Sequence, residues 1–412
     1  MGTAGRELLA GFSNALALLS GFLVIPSLLF RGGMDFTGAY TACILGALAG
    51  TLLLGRLAAR PLVAVPGAAM AGWLVYVEII SHGIRWQAIL GASFLASFLG
   101  FLLLLSPLRR RMAEAVPGVL RRAMACGLGV LLILEGLMRG RLLVGSPFSV
   151  TMLGSLLDPV AYLSLAGILL TLVLLLRDVP GALAIGTLAT AAASYAQGFW
   201  VIPDAPFLLP EGLDLVAFQL DVGEGILLPE IFLSILLVVL AESWGTVQAI
   251  HGAQGTEETP SRRGLLAVMG GGMLGTLLGS LPLRIAPESA AGIASGGRSG
   301  WTSYGTAIFL LPFLFCEPVM REMTTFEAIA VPILVGTGFS LLRSLGNPLE
   351  GDGADRAASL CLILIMPLAH DVVTGMGVSL ILHVLLKAFQ GNFSVFRSAE
   401  AGAAAMFAFY LL

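Results

Sequence analysis

The amino-acid sequence predicts an all-α polytopic membrane protein of fourteen transmembrane segments, set out as two inverted halves of seven with no sizeable soluble domain. Three observations carry that reading. Of 412 residues, 57% are apolar and 11% are charged, where soluble domains carry roughly 25% charge. The mean hydropathy is +0.95, and apolar runs near the ~20 residues that a helix needs to cross a bilayer follow one another from end to end. Two stretches of the chain also repeat in order, an odd number of segments apart. The formal net charge of −3 offers no basic field to attract phosphate, which excludes nucleic acid as a partner.

In chain order the spans are 8–30, 37–56, 61–81, 87–107, 117–138, 158–177, 179–199, 227–250, 265–282, 285–299, 302–320, 325–344, 357–388 and 397–412. The first is too long for a signal-peptide core and is followed at once by others, so it reads as a retained helix. Arg6 stands where a myristoylation sequence needs Ser or Thr. The run 357–388 is long for one crossing and contains Pro367, Gly375 and Gly377, which predicts a broken or steeply tilted helix. Cys43, Cys126, Cys316 and Cys361 stand singly, without metal-site spacing or a Cys-x-x-Cys pair, and read as small packed hydrophobes.

Positive charge sorts the loops. With the N-terminus in the cytoplasm, fourteen of the 22 Lys and Arg, including Arg109–Arg111 and Arg356, fall on the inner side. Seven fall outside, among them Lys387, and Arg284 lies at membrane depth. A two-to-one bias of this sign is expected of loops kept in the cytoplasm. The longest hydrophilic stretch, 200–225, holds five acids and no Lys or Arg, and is assigned to the outside.

The repeat is the most informative feature of the organisation. Gly46-Ala-Leu-Ala-Gly50-Thr51-Leu-Leu in the second span matches Gly271-Gly-Met-Leu-Gly275-Thr276-Leu-Leu in the ninth. Further on, Pro61-Leu62-x-x-x-Pro66-x-x-Ala69 matches Pro282-Leu283-x-x-x-Pro287-x-x-Ala290. Seven segments separate the copies, and an odd number turns the second half upside down. Such an architecture belongs to transporters, with the substrate site near the midplane between the repeats. Each proline pair breaks its helix and frames a short extended segment, followed by a half-helix starting at Pro66 and at Pro287. Extended backbone at that depth is tolerated only where it is buried or lines a cavity, and half-helix N-termini present unpaired N–H groups to a polar ligand.

Two acids stand deep in spans, where a charge is costly and marks function by default. Glu242 lies well inside the eighth span, with Thr246 one turn on along the same face. Glu288 follows Pro287 in the first turn of the half-helix of span ten. The plainer alternative makes Glu242 half of a buried ion pair with Arg284 and Glu288 a helix-start acid. Of the remaining polar residues, Asp158, Glu135 and Glu78 lie near span ends, where solvation is expected. His82 and His251 read as solvated, His383 as a packing residue, and His370 and Asp371 as a local hydrogen bond or helix break. No Ser-His-Asp order, metal cluster or phosphate loop supports an enzyme, a metal or a cofactor.

At this point the residues resemble a known family. Pro287-Glu288-Ser289-Ala290-Ala291-Gly292-Ile293-Ala294-Ser295-Gly296-Gly297-Arg298-Ser299-Gly300 is similar to the ESAAG-x-x-x-GGRTG signature of AzgA-like guanine/hypoxanthine permeases, in the nucleobase/cation symporter-2 (xanthine/uracil permease) group. Ala241-Glu242-Ser-Trp-Gly245 resembles the A/P-E-x-x-G element of its uracil and xanthine branch. Pro117 to Gly129, Met366-Pro367-Leu368 with Gly375-Met-Gly377, and Arg60-Pro-Leu-Val-Ala-Val-Pro-Gly67 resemble its fifth, thirteenth and third spans.

The resemblance implies a uracil-permease-like fold with short strands in spans 3 and 10. Its core domain comprises 1–107 (spans 1–4) and 226–320 (spans 8–11), its gate domain 108–200 (spans 5–7) and 321–412 (spans 12–14), and 201–225 is an external loop. It implies that Glu242 and Glu288 bind a planar nucleobase, flanked by Thr246, Pro287 and Ser289 and walled by Gly67, Ala68 and Ala71. Carboxylates suit the donor groups of such a ring. Departures fall at the pocket. Ala71 stands where AzgA-like proteins carry asparagine, Pro282-Leu-Arg284-Ile-Ala286 replaces a threonine-rich strand, and Glu242 replaces aspartate. Arg284 favours a more anionic base such as xanthine or urate, or pairs with a site acid.

The expected activity is proton-coupled uptake of a nucleobase, most simply a purine such as hypoxanthine, guanine, adenine or xanthine, across the inner membrane of a bacterium. Glu242 is the expected proton-coupling residue, with sodium the other candidate ion, and the core moves against the gate. A homodimer in the lipid bilayer is compatible with the family. The alternatives are a sulfate- or bicarbonate-type anion transporter on the same fold and an uncoupled facilitator.

Overall fold

Backbone polar groups must be satisfied internally to cross a bilayer, which selects helix. Helix dominates the computed structural model, which describes residues 3–106, 117–146, 151–179, 182–253, 261–323, 326–343, 348–370, 372–392 and parts of 401–408. Arg109–Arg111, Asp371, the side chain of His251 and most of the run 397–412 lie outside the described residues.

The first half comprises α1 (Thr3–Arg31), α2 (Phe36–Leu57), strand β1 (Ala64–Pro66), α3 (Ala68–Trp73, continued by a π-helix over Leu74–Ser81) and α4 (Trp86–Leu105). Then come α5 (Gly118–Arg139), strands β2 (Leu143–Gly145) and β3 (Thr151–Leu153), α6 (Pro159–Leu176) and α7 (Ala182–Ala196). Two short helices, α8 (Leu213–Val216) and α9 (Val222–Ile226), lead into α10 (Pro229–Ala253) and α11 (Arg262–Leu277). The chain continues through β4 (Leu283–Ile285), α12 (Ser289–Ala294), α13 (Gly300–Leu310), α14 (Glu317–Met323), α15 (Val331–Arg343), α16 (Gly353–Leu368) and α17 (Val372–Phe389). Several helices start on side-chain caps placed by the sequence: Gly38 N–H donates to Asp35 at 2.7 Å, Val160 N–H to Asp158 at 2.9 Å, and Gly264 N–H to Ser261 at 3.1 Å.

The glycine repeats explain the centre. α2 and α11 cross so closely that a Cβ on Gly46 would lie 3.2 Å from Gly275 Cα, and one on Gly271 would lie 2.7 Å from Gly50 Cα. Each repeat's first glycine thus faces the other repeat's second. α11 then ends on Gly279, whose φ of +95° admits the left-handed turn, with Ser280 N–H donating back to Gly275 at 2.8 Å. Beyond the two helices, β1 and β4 pair antiparallel with Ala64 opposite Ile285, Val65 opposite Arg284 and Pro66 opposite Leu283. The short strands expected in spans 3 and 10 are therefore present and hydrogen-bonded to each other.

Among the described residues, α2, α4 and α6 are long and apolar enough to cross a membrane by length and composition. Large apolar side chains stand on the outside of the molecule, including Leu102 and Leu105 on α4, Leu169 and Leu176 on α6, and Leu364 and Leu368 on α16. An exterior of this kind is suited to lipid, and the chain is a multi-pass membrane protein.

The run 357–388 is broken, as its Pro and Gly content predicts. The break makes a hairpin: α16 and α17 run antiparallel, with His370 at φ +51° beside the turn. Lys387 Nζ consequently lies 2.8 Å from Asp352 and 2.9 Å from Asp355, at the end of the hairpin where Arg356 also sits. Placing Arg356 and Lys387 on opposite faces of the membrane is thereby corrected. His383 is no mere packing residue either, since its Nε2 lies 2.9 Å from Asp355 Oδ1 across the hairpin. Glu78 and Glu135 are partnered rather than simply solvated, Glu78 by His82 at 2.9 Å and Glu135 by Arg139 at 2.6 Å. Asp158 both caps α6 and holds Arg141 at 3.1 Å. The acidic stretch 200–225 packs onto the bundle, with Asp221 N–H donating to Gln87 O at 2.9 Å and Phe218 N–H to Leu277 O at 2.7 Å.

Candidate functional site

α10 carries Glu242, Ser243 and Thr246 to the strand crossing. Ser243 makes the attachment: Ile285 N–H donates to its hydroxyl at 3.1 Å, joining the helix to β4. The neighbouring Glu242 is thereby set beside the middle residue of β4, and its Oε2 lies 3.3 Å from Arg284 Nε. Both side chains are largely withdrawn from water, with 5% of Glu242 and 12% of Arg284 exposed. The ion pair that the sequence admitted as the plainer role of Glu242 is present.

Gly67 makes room for that pair. It caps α3, and a Cβ there would fall 2.9 Å from Arg284 Nε and 3.2 Å from Glu242 Oε2. A glycine is needed here for close approach, its φ of −86° being ordinary. Behind it, Ala71 is fully buried and Ala68 half-buried, and Ala71 N–H closes the first turn of α3 on Gly67 O at 2.9 Å.

The second acid lies three residues beyond β4. Pro287 and Glu288 form a turn, with Ala290 N–H donating to Pro287 O at 3.0 Å and Ala291 N–H to Glu288 O at 2.9 Å, and regular helix begins at Ser289. Glu288 Oε2 and Thr246 Oγ1 are buried and find no hydrogen-bond partner among the described residues. Orphaned polar atoms of this kind are uncommon inside proteins and mark a place where a ligand or water completes the bonding. Ser289, expected beside the ligand, uses its hydroxyl to accept Val63 N–H at 3.0 Å and so anchors the approach to β1. Thr51 does the same for Ala64 N–H at 3.2 Å. Of the residues singled out in the sequence, the structure thus brings Glu242, Arg284 and Gly67 into contact. Thr246 stands one helical turn from Glu242, Glu288 follows β4, and Ser289 and Ala71 belong to the framework.

Asn14 was missed by sequence reasoning. It is fully buried in α1 and accepts Gly292 N–H at 2.6 Å, so that the first helix braces α12. Ser13 reinforces this contact through Ser295 at 2.8 Å. An amide inside an apolar span was the available signal, since it needs a partner there.

Among the described residues, the charged groups placed at or next to the strand crossing are the Glu242 and Glu288 carboxylates and the Arg284 guanidinium. Guanidinium nitrogens only donate and carboxylates only accept, so the arrangement suits a planar ligand that carries both kinds of edge. No group of three or more His, Cys, Asp or Glu residues is placed to hold a metal among the described residues.

Comparison with known proteins gives a consistent picture. The family model Xan_ur_permease, described as a permease family, matches residues 5–346. The guanine/hypoxanthine permease PbuO of Bacillus subtilis is 29% identical over 404 residues, covering 94% of this chain and 92% of that protein. The nucleobase transporter PlAzg2 of Paenibacillus larvae is 29% identical over 393 residues (92% and 77% covered), and the adenine permease AdeP of Escherichia coli is 22% identical over 402 (95% and 88%). Among solved structures, SLC26A9 superposes with a TM-score of 0.56 at 11% identity over 93% of this chain and 65% of its own. The transmembrane domain of the cyanobacterial bicarbonate transporter BicA gives 0.52 at 17% identity over 89% and 95%. At these identities the two structures speak for the fold alone.

Proposed function

The chain belongs to the permease family whose model spans residues 5–346, and from that premise we propose that it is a secondary transporter for a nucleobase, most simply a purine. The observation that carries this reading is the grouping at the strand crossing of Glu242, Arg284 and Gly67, with Glu288 and Thr246 holding buried oxygens without hydrogen-bond partners among the described residues. The substrates named for its relatives, guanine with hypoxanthine and adenine, have the donor and acceptor edges such a site can meet. In this reading Glu242, Glu288, Thr246 and Pro287 line the ligand, Gly67, Ala68 and Ala71 wall it, and Ser289 supports it.

The finer architecture is part of the same proposal. Fourteen segments, with α16 and α17 counted as two of them, form two inverted halves of seven, and the reciprocal approach of Gly46 to Gly275 and Gly50 to Gly271 supports a two-fold relation between them. Residues 1–107 and 226–320 form the core, 108–200 and 321–412 the gate, with 201–225 outside and the N-terminus in the cytoplasm. The core moves against the gate to expose the site to each side of the inner membrane in turn. Protons drive uptake through Glu242. In this reading proton binding accompanies opening of the Glu242–Arg284 pair.

Uptake of radiolabelled hypoxanthine, guanine, adenine, xanthine, urate and uracil into proteoliposomes, with and without an inward proton gradient, tests the proposal. Gradient-driven accumulation of a purine that is lost in Glu288→Gln is expected. A Glu242→Gln variant that still concentrates substrate would remove Glu242 from the coupling, and transport of sulfate or bicarbonate without any base would overturn the substrate.

A further inference from the structure

Resting on that nucleobase reading, we infer that Arg284 is a specificity-determining residue, one that makes the site prefer a purine with a 6-oxo group over one with a 6-amino group. Its position is fixed by the fold. It is the middle residue of β4, and its backbone is held opposite Val65. Nε faces Glu242 Oε2 at 3.3 Å in an ion pair that falls short of hydrogen-bond geometry, and the two terminal nitrogens donate no hydrogen bond among the described residues. Gly67 beside it carries no side chain to cover the guanidinium. A rigid fork of N–H donors is therefore steered by one ion pair at Nε, leaving the terminal pair for a ligand.

Two adjacent acceptors are what such a fork pairs with best. The O6 and N7 atoms of hypoxanthine, guanine or xanthine provide them on one edge, as they do for arginine reading guanine in a DNA groove. Adenine presents N7 and a 6-amino donor at the same edge, so one guanidinium N–H would meet another N–H. The second acid enforces the same choice. Glu288 Oε2 is buried without a partner among the described residues, and a carboxylate can only accept. The N1 position adjacent to the 6-oxo group bears a hydrogen to give it, whereas N1 of adenine bears a lone pair. Each bidentate pairing of this kind separates the right base from the wrong one by about five- to a hundredfold.

The experiment is displacement of radiolabelled hypoxanthine from the purified full chain by hypoxanthine, adenine and 7-deazahypoxanthine, which lacks the N7 acceptor. In the wild type, adenine and 7-deazahypoxanthine are each expected to bind at least fivefold more weakly than hypoxanthine. Arg284→Gln should bring adenine and hypoxanthine within about threefold of each other, and Arg284→Lys, a point charge in place of a fork, should fall between. Glu242→Gln removes the partner but keeps the guanidinium, and should weaken both bases while preserving their order. Equal binding of adenine and hypoxanthine by the wild type, or an unchanged preference in Arg284→Gln, overturns the inference and leaves the nucleobase reading standing. Loss of the preference in Glu242→Gln with its retention in Arg284→Gln would give the role to Glu242. If Arg284→Gln does not fold, the 7-deaza comparison on the wild type decides. Failure of every base to bind takes down both the role of Arg284 and the nucleobase reading.

Discussion

Gly67 and Arg284 occupy complementary space: a Cβ added to Gly67 would fall 2.9 Å from Arg284 Nε and 3.2 Å from its Cδ. The strand crossing thus leaves no room for both a side chain at residue 67 and the guanidinium where it now lies. Because the atoms met belong to a long side chain and not to backbone, Gly67→Ala is expected to fold and to displace Arg284 from Glu242. Base affinity should fall about tenfold, the equivalent of roughly 1–2 kcal/mol of strain, while the melting temperature moves little. Gly72→Ala, whose Cβ meets nothing within 4 Å, is the matched control. Equal affinities in the two variants would show that the Gly67 approach does not matter to the ligand.

The two serines that hold the crossing lead to a different expectation. Ser243 accepts Ile285 N–H at 3.1 Å and Ser289 accepts Val63 N–H at 3.0 Å, both fully buried. Alanine at either position leaves a backbone donor unsatisfied, which costs about 1–3 kcal/mol. Thermal unfolding in detergent should register the loss for each. Ser243→Ala should also weaken base binding, because the helix that bears Glu242 is attached to β4 there. A Ser243→Ala protein with wild-type stability and affinity would mean that neighbouring contacts set this register.

These residues also indicate how far the sequence was readable. The paired prolines foretold both strands because proline cannot continue a helix, and Arg284 at membrane depth was suspect as a partner of Glu242 because neither charge tolerates apolar surroundings alone. The serine roles were not legible, since a hydroxyl has many partners and only the crossing of distant strands selects one. Asn14 lay hidden for the same reason, its partner Gly292 being 278 positions away. The α16–α17 hairpin was only half readable: Pro367 and the glycines marked a break, but hydropathy carries no direction. The antiparallel return at His370 emerges from the pairing of Asp355 with His383 and of Asp352 with Lys387.

That hairpin gives the chain a pH-dependent fastening at its open end. Partial burial pushes the Asp355 carboxyl up, but hydrogen bonds from Lys387, His383 and the Asp352 N–H, with the charge of Lys387, outweigh it and hold the carboxyl at about 2. A group held below its ordinary 3.8 stabilises the fold fully above that value, and the stabilisation is lost as pH falls through the window toward 2. Asp355→Asn should therefore cost about 1–2 kcal/mol at neutral pH. Its unfolding temperature should also decline less steeply than that of the wild type between pH 4 and 2. Parallel pH curves for the two proteins would assign the acid sensitivity to other carboxylates.

The contact between α2 and α11 predicts a sharper contrast between adjacent glycines. A Cβ on Gly271 would lie 2.7 Å from Gly50 Cα and 3.2 Å from Leu283 Cδ1, whereas one on Gly270 meets nothing nearer than 4.0 Å. Backbone cannot yield as a flexible side chain can, so a side chain at residue 271 must force the two helices apart. The strands would separate with them, because β1 follows α2 and β4 follows α11. Gly271→Val should cost about 1–3 kcal/mol or more and lower the yield of monodisperse protein, and any protein recovered should bind base weakly. Gly270→Ala should match the wild type in yield, melting temperature and affinity, and even gain slightly, since alanine stiffens the unfolded chain relative to glycine. If Gly271→Val behaved as Gly270→Ala does, the helices would be free to slide, and the reciprocal glycine contacts would not be what holds the strand crossing in register.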